Sequence, residues 1–424
     1  MNYRSTRSNH KQFNLSECIL TGLAPDGGLF VPELIPEFKI PKGDLIDFSS
    51  FCKFALEPYF QNDELKDSLS EIVDEAFNFD LKIKSISPNR DLVELFHGPT
   101  AAFKDFGARF LASCLKRIST NHNIKLDILV ATSGDTGGAV AAAFNEVENI
   151  SVKILFPKGK VSLLQEQQLC CWGHNITSYR VRGDFDTCQA LVKEAFGHEQ
   201  IKKHHRLTSA NSINIGRLLP QMAYHAYTAY RRFKLNGSKS NLIIPSGNLG
   251  NAFGAFWAKK MGIPIDRILI SCNANQSLSD FFKFEKYSPR PSISTIANAM
   301  DVGAPSNFER LTHLFPNFKE LSSFANAKSF TNQEIMEEIS HTYNSTGEVL
   351  CPHTATASAY ADLEFSQNEH CTIVATAHPS KFLECYPEEI RSKIALAQSL
   401  EAISEKEVHC IDINPSIENI FPSR

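Results

Sequence analysis

A lysine at the start of a predicted helix is the side chain best suited to covalent chemistry in this chain. Lys104 lies beside Phe103 and Phe106, where the apolar spacing begins to predict a helix. The positive end of the helix dipole and the neighbouring rings both disfavour an ammonium ion, so we predict a lowered pKa for Lys104. A Schiff-base lysine needs such an environment, because the neutral amine is the form that attacks a carbonyl group. A solvated lysine in the first helical turn is the common alternative, and this pattern alone leaves it open.

Two glycine-rich turns each follow a predicted strand directly and open a predicted helix. The first has the sequence SGDTGG at residues 133–138, and the second has SGNLGN at residues 246–251. Glycines permit tight backbone turns, and free N–H groups at the start of a helix can bind an anion. Each could instead be an ordinary strand-to-helix turn with a capping side chain. Neither has the GxGxxG pattern of dinucleotide sites or the lysine of a Walker loop, which disfavours dinucleotide and ATP binding.

A hydroxyl group lies just past the last strong predicted strand, where the ligand sites of open α/β sheets gather. Thr376 could hydrogen-bond a heteroaromatic nitrogen there, although by itself it is only a strand-end residue. One lysine, two anion cradles and this hydroxyl together suit a phosphate-bearing aldehyde cofactor and an amino-acid substrate. Pyridoxal phosphate is the simplest cofactor that accounts for all of these features.

The elements that must position these residues alternate along the chain beyond about residue 90. Short β-rich apolar runs alternate with helical periodicity, which predicts an α/β fold with a largely parallel sheet. The predicted strands include residues 128–132, 152–156, 242–244, 267–270 and 372–375. Residues 1–85 consist of helical patches separated by proline and glycine turns, so we expect an N-terminal subdomain there. The polar segment at 283–295 is predicted to be a long loop or a domain junction.

The composition is that of a globular protein, and 424 residues suffice for roughly two or three domains. The 43 Lys and Arg residues against 47 Asp and Glu residues give a net charge of −4, which offers no general attraction to nucleic acid or anionic membranes. No apolar run approaches the roughly 18 residues of a membrane span. The 11 cysteines form no CxxC pairs, so we expect no disulfide framework, no metal site and a reducing cytoplasm.

Long motifs surround the candidate residues, and their order along the chain is informative. The chain contains, in this order, NYRSTR, LAPDGGLFVPE, HGPTAAFKDFGARF, ATSGDTGG, FPKGKVSLLQEQQL, LTSANSINIGRLLPQ, IIPSGNLGN, ANAMDVGAPSNFERL and TAHPSKF. Over nearly its whole length the sequence therefore resembles the threonine synthase family. The resemblance implies the fold-type-II architecture of pyridoxal-phosphate enzymes: two α/β domains with largely parallel sheets, plus the N-terminal subdomain, with the cofactor in the cleft. Residues 86–235 would then carry the Schiff-base lysine and substrate loop, and residues 236–424 the cofactor-phosphate loop.

The resemblance also implies roles for individual residues towards pyridoxal phosphate. Lys104 would hold the cofactor as a Schiff base, and Thr376 would face the pyridine nitrogen. The cofactor phosphate would lie in a cradle formed by Gly247, Asn248, Leu249 and Asn251. Many relatives carry Asp in place of Asn251, and we expect this difference to alter a polar contact without abolishing phosphate binding.

The implied substrate is O-phospho-L-homoserine, which the family converts with water to L-threonine and phosphate by β,γ-elimination and β-addition of water. Ser133, Asp135 and Thr136 would face this substrate, and the helix start there suits its carboxylate. The substrate phosphate needs cationic partners, for which Lys160 and Arg217 are the candidates. Either of these two could instead be a surface or ion-pair residue. We expect a monomer or a homodimer, with no nucleic-acid or membrane partner.

Two other interpretations of the same residues remain open at this point. The chain could be another fold-type-II pyridoxal-phosphate lyase, such as a serine or threonine dehydratase or a β-replacement enzyme, because the fold and the lysine chemistry are shared. It could also be a catalytically silent relative that binds a phosphorylated ligand. If turnover requires the γ-phosphate of the substrate, the enzyme is a threonine synthase and not one of these other lyases.

Overall fold

The computed structural model describes residues 1–8 and 10–422, and its strands form three sheets. Every predicted strand is present, although Thr132 lies just beyond the end of its strand. In chain order the strands are β1 (Tyr3–Ser5), β2 (Phe30–Pro32), β3 (Lys82–Ser87), β4 (Arg90–Glu94), β5 (Leu126–Ala131), β6 (Ile150–Pro157), β7 (Ile176–Val181), β8 (Leu207–Ser209), β9 (Ser240–Pro245), β10 (Ile265–Cys272), β11 (Ala325–Ser329), β12 (Cys371–Ala375) and β13 (Ile411–Ile413).

The helices alternate with these strands, as the sequence predicts. They are α1 (Leu15–Thr21), α2 (Phe48–Leu56), α3 (Leu69–Ala76), α4 (Lys104–Asn121), α5 (Asp135–Phe144), α6 (Leu163–Cys170), α7 (Phe185–Gly197), α8 (Glu199–His204), α9 (Leu219–Asn236), α10 (Gly250–Lys260), α11 (Ser277–Phe284), α12 (Phe308–Leu314), α13 (Phe318–Ser322), α14 (Asn332–Thr346), α15 (Pro352–Glu364), α16 (Glu388–Arg391) and α17 (Gln398–Ser404). Residues 283 and 284 of the predicted loop at 283–295 form the end of α11 instead, and residues 285–295 contain no helix or strand.

The two larger sheets are mainly parallel. The six-stranded sheet has the order β11-β10-β9-β12-β4-β3, in which the β3–β4 pair alone is antiparallel. The five-stranded sheet has the order β13-β7-β6-β5-β8, and all its pairs are parallel. The third sheet is the antiparallel pair β1 and β2. The predicted α/β class with largely parallel sheets is therefore confirmed.

Helices cover both faces of the six-stranded sheet, which explains its apolar strands. Helix α15 packs against β9, β10 and β12, while α9 and α10 also contact β9. Each residue of β12, with the sequence CTIVA, is consequently buried. Strands covered on both faces contain continuous apolar runs rather than alternating ones, and this is the pattern that made β12 visible in the sequence.

The chain segments that build the two sheets are interleaved along the sequence. Strand β4 precedes the five-stranded sheet in the chain, yet it pairs with β12 in the six-stranded one. Conversely, β13 near the end of the chain pairs with β7 in the five-stranded sheet. The division into residues 1–85, 86–235 and 236–424 stays a prediction, and units built on these sheets would exchange strands across residue 235.

The N-terminal elements pack on the helices that lead into the centre of the molecule. Helix α1 contacts α4 and β8, α2 contacts α9, and α3 contacts α4. Helix α4 begins at Lys104, so the N-terminal region supports the element that carries this lysine. Within the described ranges, no helix is both long and apolar enough to cross a membrane.

Candidate active site

A cavity of about 1050 Å³ opens where the strands of both large sheets end. Ligand sites in open α/β sheets form at the carboxyl ends of strands, because the connecting loops and helix N-termini converge there. The loops after β5, β8, β9 and β12 all contribute to the wall, together with the first residue of α4. The lining includes the sequence-predicted residues Lys104, Ser133, Asp135, Thr136, Arg217, Gly247, Asn248, Asn251 and Thr376.

The Lys104 side chain reaches this cavity from the first position of α4. Its Nζ atom lies 4.6 Å from the centre of the Phe103 ring, and it makes no hydrogen bond or ion pair with any other residue that the structure describes. Burial and the nearby positive charge of Arg217 lower the pKa of Lys104 to about 8, against the opposing charge of Asp135. The lowered pKa of Lys104 agrees with the prediction, and its main cause is burial.

The turn between β9 and α10 exposes several backbone N–H groups to the cavity. Leu249 has φ +62°, a left-handed conformation that turns the chain into α10, and no side chain caps that helix. In the described part of the chain, the N–H groups of residues 247–250 have no hydrogen-bond acceptor. A Cβ atom on Gly247 would lie 2.6 Å from the Met300 Cα atom, so this position has room only for glycine. The turn is thus a concave set of donors at the positive end of a helix, which suits a phosphate group.

Two asparagines hold this turn in different ways. The Asn248 side chain donates to Ser212 Oγ at 2.9 Å and accepts from the Ser306 N–H at 2.5 Å. The Asn251 side chain bonds within the protein: its amide nitrogen donates to the Pro245 carbonyl at 3.1 Å, and its oxygen accepts from the Tyr224 hydroxyl at 2.6 Å. A carboxylate could not donate to that carbonyl, so the amide at residue 251 has a specific structural use.

The turn between β5 and α5 forms a second set of free donors. Gly134 has φ +139°, and its N–H donates to Thr132 Oγ1 at 3.0 Å, which closes the turn. Helix α5 begins without a side-chain cap. Over residues 1–8 and 10–422, the N–H groups of Ser133, Asp135 and Thr136 have no acceptor. An anion of the size of a carboxylate could therefore bind here.

Asp135 is a buried carboxylate at the start of α5, and sequence reasoning missed its cation. Lys381 Nζ lies 2.8 Å from Asp135 Oδ1, and Gln165 Nε2 donates to the same oxygen at 3.0 Å. Burial alone would raise the pKa of Asp135, but the Lys381 charge and these hydrogen bonds lower it below its usual value. Lys381 lies in the TAHPSKF motif, but its pairing with a residue so distant in sequence has no local signal.

The two candidate cations for a substrate phosphate differ in location. Arg217 is 1% exposed, lines the cavity, donates to the Ala210 carbonyl, and leaves its Nε–H without an acceptor among the described residues. Burial lowers the pKa of Arg217 to about 10, so it remains charged at neutral pH. Lys160 is exposed on the loop after β6 and does not line the cavity. The structure therefore brings Arg217 to the site and leaves Lys160 outside it.

Thr376 and His353 contribute unpaired polar atoms to the same cavity. Thr376 is 4% exposed and its hydroxyl has no partner in the described chain, while its carbonyl accepts from the Phe103 N–H at 2.8 Å. That backbone bond joins the end of β12 to the residue before Lys104. His353 accepts from the Ala299 N–H at 3.1 Å through Nε2 and leaves Nδ1 unpaired. Burial lowers the pKa of His353 to about 4, so the ring is neutral and carries its proton on Nδ1.

Comparison with known proteins gives a consistent result. A family model described as pyridoxal-phosphate dependent enzyme matches residues 93–376, and one described as threonine synthase N terminus matches residues 2–77. A threonine synthase of Buchnera aphidicola subsp. Schizaphis graminum is 36% identical over 432 residues, covering 99% of this chain and 98% of the relative. This chain belongs to the threonine synthase family. The crystal structure of threonine synthase from Escherichia coli matches it with a TM-score of 0.89 and 32% identity, covering 99% of this chain and 98% of that one.

Members of the threonine synthase family are pyridoxal-phosphate-dependent enzymes, and the cavity fits this cofactor. A structure of PLP bound threonine synthase from Brucella melitensis matches this chain with a TM-score of 0.88 and 28% identity, covering 99% of this chain and 98% of that one. In this chain the unpaired N–H groups at residues 247–250 provide donors for a phosphate. The Thr376 hydroxyl, which has no partner among the described residues, could pair with a ring nitrogen, and the amine of Lys104 could form a Schiff base.

Proposed function

We propose that this threonine synthase family member converts O-phospho-L-homoserine and water to L-threonine and phosphate. One observation carries the proposal. The unpaired amine of Lys104 faces a cavity that also holds two uncapped helix starts and the buried cation of Arg217. A substrate with one carboxylate and one phosphate, bound beside a phosphorylated cofactor, presents three anionic groups, and these features match them in number and charge.

The cofactor would be held by residues from both sides of the cavity. Lys104 would form the Schiff base, and Thr376 would place its hydroxyl at the pyridine nitrogen. The phosphate would accept hydrogen bonds from the backbone of Gly247, Asn248, Leu249 and Asn251. When bound, pyridoxal phosphate supplies an electron sink that stabilises negative charge on the substrate carbon next to the amine. A neutral hydroxyl at the nitrogen, rather than a carboxylate, leaves the ring less protonated and therefore makes it a milder sink.

The substrate would be oriented by charge. Its carboxylate would bind at the uncapped start of α5, where Ser133, Asp135 and Thr136 offer unpaired N–H groups. Its phosphate would lie towards Arg217, whose Nε–H lacks an acceptor within the described residues. A role of Lys160 in phosphate binding stays a prediction, and its exposed position outside the cavity argues against that role.

Lys104 would then carry protons during the reaction. With substrate bound, the free amine of Lys104 would remove the proton from Cα. A Cβ proton would leave and the γ-phosphate would depart with its bonding electron pair. A proton would then add to Cγ, which becomes the methyl group, water would add to Cβ and release one of its protons, and a proton would return to Cα. A lysine with a pKa near 8 can both accept and return protons near neutral pH, which an ordinary lysine does poorly.

The test is to measure phosphate and threonine released from O-phospho-L-homoserine by the cofactor-loaded wild type and by Lys104→Ala. We expect the wild type to release both in equal amounts and the variant to release neither. L-serine and L-threonine serve as control substrates, because a dehydratase would convert them to a keto acid without a phosphate. If the cofactor-loaded wild type turns over these controls but not O-phospho-L-homoserine, the proposed reaction is wrong and another lyase of this fold takes its place.

The assembly and location of the enzyme are also proposals. A monomer or homodimer acting on a small molecule in the cytoplasm agrees with the chemistry above. All eleven cysteines are free thiols, and most of them are buried, which supports a reducing compartment. Light scattering of the holoenzyme over a range of concentrations would distinguish a monomer from a homodimer.

A further inference from the structure

One buried ammonium group joins three segments that supply the site. Lys381 Nζ lies 2.8 Å from Asp135 Oδ1 and donates to the Thr100 carbonyl at 2.8 Å. The Lys381 side chain is 0% exposed, so both contacts are shielded from water. Asp135 begins α5, Thr100 lies in the loop just before Lys104, and Lys381 itself lies just after Thr376. The Lys381 ammonium group therefore connects three segments: the turn at the start of α5, the loop before Lys104, and its own segment, which follows Thr376.

Helix α6 provides a separate hydrogen bond to each member of this cluster. Ser162 Oγ, at the cap of α6, donates to the Lys381 carbonyl at 2.8 Å. Gln165 Nε2 donates to Asp135 Oδ1 at 3.0 Å, and Gln168 Nε2 donates to the Thr100 carbonyl at 2.9 Å. The spacing of three residues keeps these side chains on one face of the helix. The cluster is thus fixed from a rigid element and not only by the ion pair.

We propose that Lys381 is a positioning residue for the proposed reaction: its ammonium group holds the Asp135 carboxylate charged and in place, and so fixes the free N–H groups of the Ser133–Thr136 turn relative to Lys104. This inference rests on the proposed function. A buried ion pair by itself contributes little to stability, and apolar residues of similar volume often replace one without loss. A fully buried lysine that bridges three site segments is better explained by the geometry and charge that it maintains.

The charges around Asp135 determine how a variant would behave. Lys381 is its direct partner, Lys104 and His353 face it from α4 and α15, and Gln165 of α6 is neutral. His353 is uncharged at neutral pH. Without Lys381, burial would raise the pKa of Asp135, and the carboxyl group would bind a proton as the pH falls. Activity should then be lost on the acidic side at a higher pH than in the wild type.

The experiment compares kcat and KM as functions of pH for the holoenzyme and for Lys381→Met. Lys260→Met is the matched control, because Lys260 pairs with Glu320 at the surface and does not line the cavity. We expect the acidic limb of kcat/KM to move up by about one pH unit or more in Lys381→Met, which is at least about a tenfold loss on that limb. Activity should recover at alkaline pH, and the Lys260 variant should behave as the wild type.

A second variant covers the case in which Lys381→Met does not fold. The double variant Asp135→Asn, Lys381→Met removes both charges, so it leaves no uncompensated ion in the interior. We expect it to fold and to bind pyridoxal phosphate, as followed by absorbance, but to lose kcat/KM at every pH without a shifted acidic limb. A wild-type kcat/KM and pH profile in either variant overturns the inference. Failure of the wild type to release threonine would instead overturn the proposed function.

Discussion

The turn between β9 and α10, where we propose that the cofactor phosphate binds, gives a quantitative prediction for the substitution Gly247→Ala. The added Cβ atom would lie 2.6 Å from Met300 Cα, 2.9 Å from its carbonyl oxygen and 3.0 Å from its carbonyl carbon, where ordinary contacts are 3.4–4 Å. All these atoms belong to backbone, so no side chain can rotate out of the way. The turn and the Met300 segment must therefore separate by about 0.8 Å.

Such a shift matters because hydrogen bonds are short-ranged. An N–H group at about 2.9 Å from a phosphate oxygen would move to about 3.7 Å, which no longer counts as a hydrogen bond. A hydrogen bond to a charged group contributes about 1.5–3 kcal/mol. Loss of one such bond corresponds to an increase of about tenfold to a hundredfold in the Kd for pyridoxal phosphate. The forced contact itself is expected to lower stability by about 1–3 kcal/mol.

The assay is an absorbance titration of the cofactor-free protein with pyridoxal phosphate, together with its Tm. Gly173→Ala is the matched control, since a Cβ atom there would meet nothing within 4 Å. We expect a raised Kd for the residue 247 variant and a wild-type Kd for the control. A wild-type Kd for Gly247→Ala would refute the reasoning, because the phosphate would then not depend on this turn.

The remaining predictions concern single groups in the cavity. Thr376→Val keeps the side-chain shape but removes a hydroxyl that has no partner among the described residues, so Tm should stay unchanged. The Kd for pyridoxal phosphate should rise by about fivefold, which corresponds to about 1 kcal/mol. An unchanged Kd would contradict the proposed role of this hydroxyl. In the cofactor-free protein, the rate at which an amine-reactive reagent modifies Lys104 should rise with pH, with an inflection near pH 8. Arg217→Gln removes the positive charge that lowers this pKa and should move the inflection to higher pH, whereas Arg217→Lys should not. His353→Phe removes the Nδ1–H that has no partner among the described residues and also the Nε2 atom that accepts from the Ala299 N–H, so we expect weaker binding of cofactor or substrate and a lower Tm; equal binding would mean that the Nδ1–H is unused.

The residues that sequence reasoning found share one property. Lys104, Thr376 and the glycine turns lie at element boundaries, where helix starts and strand ends leave local marks in the sequence, and the parallel-sheet pattern then brings those boundaries together. The strands were equally visible because they are buried on both faces. No local mark accompanies the pairing of Lys381 with Asp135 or the unpaired nitrogen of His353, since both depend on contacts between distant segments.

The charge of a residue predicted its place in the site less well than its position at an element boundary did. Lys160 and Arg217 were equal candidates for the substrate phosphate, because both are cations within family motifs. Their positions decide between them: Lys160 lies on an exposed loop, whereas Arg217 is buried beside Gly107, where a Cβ atom would lie 2.6 Å from Arg217 Nε. The small residue on α4 thus makes space for the buried guanidinium group. Neither residue could have revealed that relation alone.

The interleaved strand order has a consequence for how the polypeptide is made. Strand β12 lies between β9 and β4 in the six-stranded sheet, and β13 supplies an edge of the five-stranded one. A ribosome therefore releases β3 and β4 long before their neighbour β12 exists, and the five-stranded sheet lacks an edge strand until β13 emerges. Apolar strands with unpaired edges are prone to aggregate with other chains until their neighbouring strands have been synthesised. The six-stranded sheet therefore becomes continuous only when β12 is available, and a chain truncated before β12 should expose the edges of β4 and β9 and yield insoluble protein.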